Sequence, residues 1–208
     1  MRTPTAISHS FREMLSTNYG TGRGWVRAML ADLEYAIGRI ERFESFSARA
    51  TDRLVFVCQG NICRSAFADR LARAMRLNSA SVGLATNTGL PAFALACDTA
   101  VLRGLDMSAH RTTAWPDFER CGGDLYLAME IRQAHSLLRL GVPAAQIALL
   151  GRWSRPRRLH LHDPHTLSAA YFETCFALID SAVRNLASEF ARARSPAARH
   201  FGTSSHDG

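Results

Sequence analysis

The chain has 208 residues and a formal net charge of +7, from 25 cationic and 18 acidic side chains, and each of the 25 cations is an arginine. Without lysine, Schiff-base chemistry and a Walker-type phosphate loop are excluded. A hydrophobic content of 47% is typical of a packed globular protein. The arginines are scattered and accompany no nucleic-acid-binding motif, so we predict no nucleic-acid partner.

The length of the apolar runs and the number of cysteines indicate the compartment in which the protein resides. No apolar run approaches the roughly 20 residues that a membrane-spanning helix needs, so we expect no membrane span. The first 30 residues also lack the continuous apolar segment of a secretory signal. Five cysteines are an odd number at irregular spacing, which argues against a disulfide framework. We therefore predict a chain of the reducing cytoplasm.

Residues 1–50 differ in pattern from the rest and predict an N-terminal helical extension. A polar stretch, Thr17–Gly24, precedes a helical pattern over Trp25–Phe46. Apolar residues recur there every three or four positions, which predicts one apolar stripe packed on the main domain or on a partner chain. The stripe consists of Val26, Met29, Leu30, Leu33, Ala36 and Ile37.

From Arg53 the pattern alternates between strands and helices. The predicted strands are Leu54–Val57, Ala80–Leu84, Asp124–Met129 and Gln146–Leu150, and the predicted helices are Ala66–Leu77, Pro91–Arg103, Glu130–Leu140 and Leu167–Ala191. This order predicts an α/β fold of three layers, with a four-stranded parallel sheet and helices on both faces. We assign residues 51–194 to this domain and residues 195–208 to a disordered tail.

The segment Cys58–Ser65 follows the first predicted strand and carries the chemistry. Five residues separate Cys58 from Arg64, enough for the backbone to curl into an anion-binding nest at a helix N-terminus. Gly60 allows the turn and Asn61 tolerates a left-handed conformation. Arg64 offers a planar fork for two oxygens of a tetrahedral oxyanion, and the positive field favours the Cys58 thiolate. A thiolate that faces a phosphate cradle is a phosphatase nucleophile.

The run Val57–Ser65 resembles the signature of the low-molecular-weight protein tyrosine phosphatases, in particular bacterial members associated with exopolysaccharide export. The resemblance extends over about residues 53–190 and places the family's Asp-Pro pair at Asp163-Pro164. It implies that Cys58 is the nucleophile, that Arg64 holds the phosphate and that Asp163 is the general acid. It implies a phosphorylated protein partner, such as a tyrosine autokinase, and no cofactor or metal.

Further roles follow from the same resemblance. Phosphate binding falls to the loop residues Gln59, Gly60, Asn61, Ile62, Cys63, Arg64 and Ser65, and support of the loop falls to Asn61, Ser65, Ser81 and His110. Two positions at the pocket rim, where members carry aromatic residues, hold Asn87 and His165 here. Ile62 stands where members specific for phosphoarginine carry threonine, which favours phosphotyrosine.

Several alternatives remain open on the sequence. One is an arsenate reductase on the same fold, which needs a relay of thiols that Cys97 and Cys121 do not obviously supply. Another is a phosphate-binding scaffold without turnover. Cys58 and Cys63 could form a reversible protective disulfide. A zinc site built from these cysteines and the histidines at 160, 162 and 165 is disfavoured by its spacing. The sequence leaves the oligomeric state open.

Overall fold

The sheet is parallel and four-stranded, as predicted. The structure is a computed structural model that describes the backbone of residues 4–195 and the side chains of residues 10–195. The strand order is β2-β1-β3-β4. The strands are β1 (Arg53–Cys58), β2 (Ser79–Gly83), β3 (Asp124–Ala128) and β4 (Ile147–Leu149).

Helices cover both faces of the sheet, which confirms the three-layer prediction. Alternate residues of a strand point to opposite faces. Leu54 and Phe56 of β1 therefore join one apolar cluster, and Val55 and Val57 join the other. The helices are α1 (Pro4–Tyr19), α2 (Gly22–Ala36), α3 (Arg64–Ala74), α4 (Ala94–Val101), α5 (Ile131–Arg139) and α6 (Ala169–Arg194).

The two clusters hold different helices. In the first, α3 and α6 pack against each other through stacked rings of Phe67 and Phe176, whose centroids are 4.0 Å apart. In the second, α5 contributes Leu137 and α2 contributes Ala31. Strand order reverses between β1 and β3, which makes the carboxyl ends of these two strands the expected ligand crevice. The loop that begins at Cys58 lies at this crevice.

The N-terminal extension contains two helices where the sequence pattern predicted one. Helix α1 was not predicted, and α2 ends ten residues before the predicted end at Phe46. The reason is a Schellman motif, in which Gly38 adopts a φ of +75°. Gly38 N donates to Tyr35 O and Arg39 N donates to Glu34 O, which satisfies the last carbonyls of the helix.

The apolar stripe of α2 is exposed, so it does not pack on the main domain, and packing on a partner chain stays a prediction. Five of its six members are between 47% and 55% exposed, namely Val26, Met29, Leu30, Leu33 and Ile37. The buried face of α2 consists of Gly24, Ala28 and Ala31. Small side chains allow the helix backbone to approach the domain closely, and this close approach determines which face is buried.

Two other expectations concern the C-terminal tail and membrane-spanning helices. The predicted disordered tail, residues 195–208, lies outside the described residues except for Ser195. Among the helices of residues 4–195, none is long and apolar enough to cross a membrane.

Candidate active site

The sulfur of Cys58 lies at the start of a loop that connects β1 to α3. Asn61 N donates to Sγ over 3.2 Å, and Ser65 Oγ lies 3.0 Å from Sγ. Ser65 Oγ also accepts a hydrogen bond from Asn61 Nδ2 over 2.8 Å, which leaves its own proton for the sulfur. Two donors therefore converge on the sulfur of Cys58.

Asn61 holds the loop in its curled shape. Its φ of 54° lies in the left-handed region, which asparagine tolerates better than most residues. Its Oδ1 accepts from Thr113 N over 2.9 Å, and its backbone O accepts from His110 Nε2 over 2.7 Å. Burial lowers the pKa of His110, which keeps the ring neutral with Nε2 as the donor.

The predicted loop-support group is only partly assembled. Asn61, Ser65 and His110 are connected directly, and Thr113 joins them through its backbone N–H. Ser81 is buried and lines a cavity with His110, but its hydroxyl forms no hydrogen bond to the loop among the described residues. The sequence did not indicate Thr113, because a backbone donor leaves no residue-type signal.

Arg64 is fully buried, and hydrogen bonds fix one side of its guanidinium group. Its Nη1 donates to Glu130 Oε1 over 2.6 Å and to Leu161 O over 2.8 Å. Within the described residues, Nε and Nη2 have no hydrogen-bond partner, although Nη2 lies 2.7 Å from Asp163 Oδ2 as an ion pair. The Nε–Nη2 edge has the planar fork geometry that suits two oxygens of a phosphate.

Glu130 was not among the sequence-predicted site residues. Burial alone would raise its pKa, but the charge of Arg64 and hydrogen bonds from Arg132 and Arg64 lower the pKa to about 2. Glu130 is therefore ionised and orients the Arg64 guanidinium. An acidic residue directly after a buried strand, at the same sheet edge as Cys58, was the signal that could have identified it.

Asp163 lies beside Arg64 at the mouth of the site. The preceding segment is tied to the sheet, since Leu161 N donates to Met129 O over 2.9 Å. The Asp163 side chain is 35% exposed, and Oδ1 accepts from His165 N over 3.3 Å. The carboxyl group is therefore accessible to a leaving group while it stays in contact with Arg64.

The rim of the site includes an aromatic ring that the sequence analysis did not select. Phe93 N donates to Ile62 O of the loop, and the Phe93 ring meets the His165 ring edge-on at 4.9 Å. Gln59, Gly60 and Ile62 are half-buried at this opening. Asn87 is exposed, and its backbone carbonyl accepts from Thr112 Oγ1 over 2.6 Å.

The remaining thiols and histidines do not form a metal site in the part of the chain that the structure describes. Cys63 stands at the N-cap position of α3 without a capping hydrogen bond from its side chain. It is almost fully buried, and burial raises its pKa, which keeps it a neutral thiol. All five cysteines are unpaired. The zinc set weighed on the sequence is therefore not assembled among these residues.

The site combines three features of a phosphatase that uses a cysteine nucleophile. These are a cysteine sulfur with two donors, a buried arginine fork six residues later and a carboxyl group beside that fork. Residues 53–196 match the family "low molecular weight phosphotyrosine protein phosphatase". The chain belongs to this family, and residues 1–52 lie outside the match.

Individual relatives agree with this assignment. The chain is 32% identical to low molecular weight protein-tyrosine phosphatase A of Mycobacterium tuberculosis over 64% of this chain and 88% of that protein. It is 29% identical to the low molecular weight protein-tyrosine-phosphatase Etp of Escherichia coli over 67% of this chain and 95% of that protein. Among solved structures, Vibrio vulnificus Wzb in complex with benzylphosphonate has 27% identity and a TM-score of 0.57, covering 66% of this chain and 98% of that chain.

Proposed function

We propose that the chain hydrolyses phosphotyrosine in proteins through a cysteinyl-phosphate intermediate on Cys58. The observation that carries this proposal is the state of Arg64. Its Nη1 is fixed by Glu130 and Leu161, while the buried Nε–Nη2 edge has no hydrogen-bond partner among the described residues. Apart from the ion pair of Nη2 with the half-exposed Asp163, the donors of this edge are unused in the described part of the chain, and a buried donor without a hydrogen bond is costly. A phosphate monoester supplies two oxygens with matching geometry.

The first chemical step transfers the phosphoryl group to sulfur. The Cys58 thiolate attacks phosphorus, an S–P bond forms and the P–O bond to the phenol breaks. Asp163 donates its proton to the departing oxygen. Phosphate oxygens on Nε and Nη2 of Arg64 replace the ion pair with Asp163.

The second step releases phosphate. The Asp163 carboxylate takes a proton from water, the water oxygen attacks phosphorus and the S–P bond breaks. Sulfur leaves as a thiolate, which the hydrogen bonds from Ser65 Oγ and Asn61 N stabilise. The cycle regenerates both groups and needs no cofactor.

The rim supports an aryl substrate. Phe93 and His165 form an edge-to-face pair next to Ile62, which offers an apolar wall to the ring of phosphotyrosine. We propose a phosphorylated protein as the partner, and the tyrosine autokinase implied by the family resemblance is the first candidate to assay. Five unpaired cysteines support the reducing cytoplasm as the compartment.

The position of Cys121 disfavours the arsenate reductase. Arg53 Nη2 donates to Cys121 Sγ, and Arg53 is the first residue of β1 while Cys58 is the last. The two residues are five positions apart along the strand, which corresponds to about 16 Å. Cys121 is therefore too far from Cys58 for a direct thiol relay.

The experiment measures hydrolysis of a phosphotyrosine peptide by the wild type, Cys58→Ser and Cys97→Ser. Cys58→Ser is expected to abolish turnover while it retains binding of inorganic phosphate. The control Cys97→Ser, on α4, is expected to retain full activity. Turnover that survives in Cys58→Ser, or preference for a phosphoarginine peptide, would contradict the proposal. Phosphate binding without turnover in the wild type would support the scaffold instead.

A further inference from the structure

The N-terminal extension contacts the segment that carries the general acid. We call residues 159–165 the acid loop. Thr21 Oγ1 of the extension lies 3.2 Å from Nε2 of His162, the residue directly before Asp163. Gly24 packs against the same ring, since a Cβ at Gly24 would lie 2.8 Å from His162 Cδ2. The extension thus touches the acid loop one residue from its reactive carboxyl group.

The direction of the hydrogen bond follows from the role of Thr21 as a helix cap. Thr21 Oγ1 already accepts from Gly24 N over 2.9 Å at the start of α2. Its hydroxyl proton is therefore assigned to His162 Nε2, which makes Nε2 the acceptor and leaves the ring proton on Nδ1. Burial lowers the pKa of His162, and the neutral ring that results fits this assignment.

The contact continues toward Arg64. His162 Nδ1 lies 3.5 Å from His160 Nε2, and His160 Nδ1 lies 3.8 Å from Glu130 Oε2. Glu130 in turn orients Arg64. Burial lowers the pKa of His160 to about 4, so both histidines are neutral at neutral pH. A row of polar groups therefore connects the extension to both sides of the phosphate site.

Other contacts fix the extension and the acid loop against each other. Arg158, one residue before the acid loop, donates from Nη1 to Asn18 O, and its guanidinium lies 4.1 Å from the centre of the Tyr19 ring. On the far side, Tyr171 Oη donates to His162 O over 3.2 Å. His162 is thus held by the extension at its ring and by α6 at its backbone.

We propose that Thr21 is a positioning residue for Asp163, and that the extension is a built-in support of the acid loop. This proposal rests on the role of Asp163 as general acid. Thr21 touches neither substrate nor reacting atoms, and it acts through His162. Its contribution should therefore be largest when proton donation limits the reaction, that is, with poor leaving groups.

The test compares kcat/KM for a series of aryl phosphates, from nitrophenyl to unsubstituted phenyl phosphate. Thr21→Val removes the hydroxyl and is expected to lower kcat/KM about tenfold for phenyl phosphate and far less for nitrophenyl phosphate. Thr21→Ser restores the hydroxyl and should restore the wild-type dependence. Thr51→Val, at the opposite end of β1, removes a hydroxyl that donates to Ser47 O and should leave the dependence unchanged.

A second pair of variants leaves the Thr21 hydroxyl in place. Gly24→Ala places a methyl group against His162 and against Tyr19 O, whereas a Cβ at Gly22 meets nothing within 4 Å. Gly24→Ala should reproduce the loss with poor leaving groups, and Gly22→Ala should have no effect. An equal loss of kcat/KM for all the esters would overturn the positioning role. So would an unchanged kcat/KM in both Thr21→Val and Gly24→Ala. A wild type that hydrolyses none of these esters would instead refute the proposed function.

Discussion

Arg64 Nη1 donates to Glu130 Oε1 over 2.6 Å, and both side chains are only 1% exposed. An ion pair in such a place gains little net stability, but removal of one partner leaves the other as a buried uncompensated charge. The pair therefore matters chiefly for geometry. It fixes one side of the guanidinium so that the other side stays directed at the phosphate site.

We predict that Glu130→Ala destabilises the protein by about 3 kcal/mol, because Arg64 would remain buried without its partner. Urea unfolding at neutral pH measures this loss. Glu130→Gln should keep an acceptor for Nη1, lose less stability and weaken phosphate affinity. The control Glu173→Gln breaks a partly exposed pair with Arg103 and should cost less than about 1 kcal/mol. Equal losses for Glu130→Ala and Glu173→Gln would contradict this account.

We predict that Asp163→Asn lowers kcat/KM by at least about a hundredfold for phenyl phosphate and much less for nitrophenyl phosphate. The amide cannot donate the proton that a poor leaving group needs, whereas a good leaving group departs without it. Steady-state kinetics across the series checks this prediction. A uniform loss for all leaving groups would mean that Asp163 acts only through its ion pair with Arg64.

Stability should fall as pH falls from about 6.5 to about 4, because burial lowers the pKa of His160 to about 4. The unfolded chain binds a proton in this interval and the folded protein does not, so protonation favours unfolding. The loss amounts to about 3 kcal/mol. From about pH 4.5 to about pH 2 Glu130, whose pKa is lowered from 4.5 to about 2, adds a further loss because the unfolded chain is protonated first.

The measurement is the free energy of unfolding in urea at pH 7, 5.5 and about 4.5. His160→Gln should show a smaller fall over this interval than the wild type. Some dependence will remain, because burial also lowers the pKa values of His110 and His162. The groups that face His160 are Glu130, His162, Arg64 and Arg27. An unchanged slope in His160→Gln would show that another group titrates.

Arg76→Gly should stabilise the protein by about 1 kcal/mol. Arg76 has a φ of +61° at the end of α3, where a side chain is strained and glycine is not. Its side chain is exposed, so little contact is lost. Thermal unfolding checks the gain. Ala74→Gly, two residues earlier and still helical, should be destabilising by up to about 1 kcal/mol. A loss of stability in Arg76→Gly would mean that the arginine side chain matters.

The sequence was sufficient to predict the sheet and the centre of the site, because both depend on patterns that are local in the chain. Buried parallel strands are short apolar runs, and Leu54–Val57 and Asp124–Met129 show this pattern clearly. The loop from Cys58 to Arg64 is local in sequence, so its spacing alone carries its chemistry. Contacts between distant segments left no such trace. Glu130 and Phe93 approach the loop only because the topology brings four strand ends and α4 together.

The extension shows how periodicity can mislead. The apolar stripe of α2 satisfied a helical pattern, yet the domain binds the face with Gly24, Ala28 and Ala31. Burial there depends on how closely two backbones can approach, which hydrophobicity does not report. In helix α1 the apolar residues Ile7, Phe11, Met14 and Leu15 follow helical spacing, and this short pattern was missed.

The backbone contacts of Leu161 make its amide proton a reporter of acid-loop opening in solution. Its N–H is held by Met129 O and its carbonyl accepts from Arg64, so the backbone of this one residue joins the loop to the sheet and to the phosphate site. Its amide proton can exchange with deuterium only when the loop detaches from β3. The exchange rate at Leu161 therefore measures the free energy of loop opening directly, without any substrate.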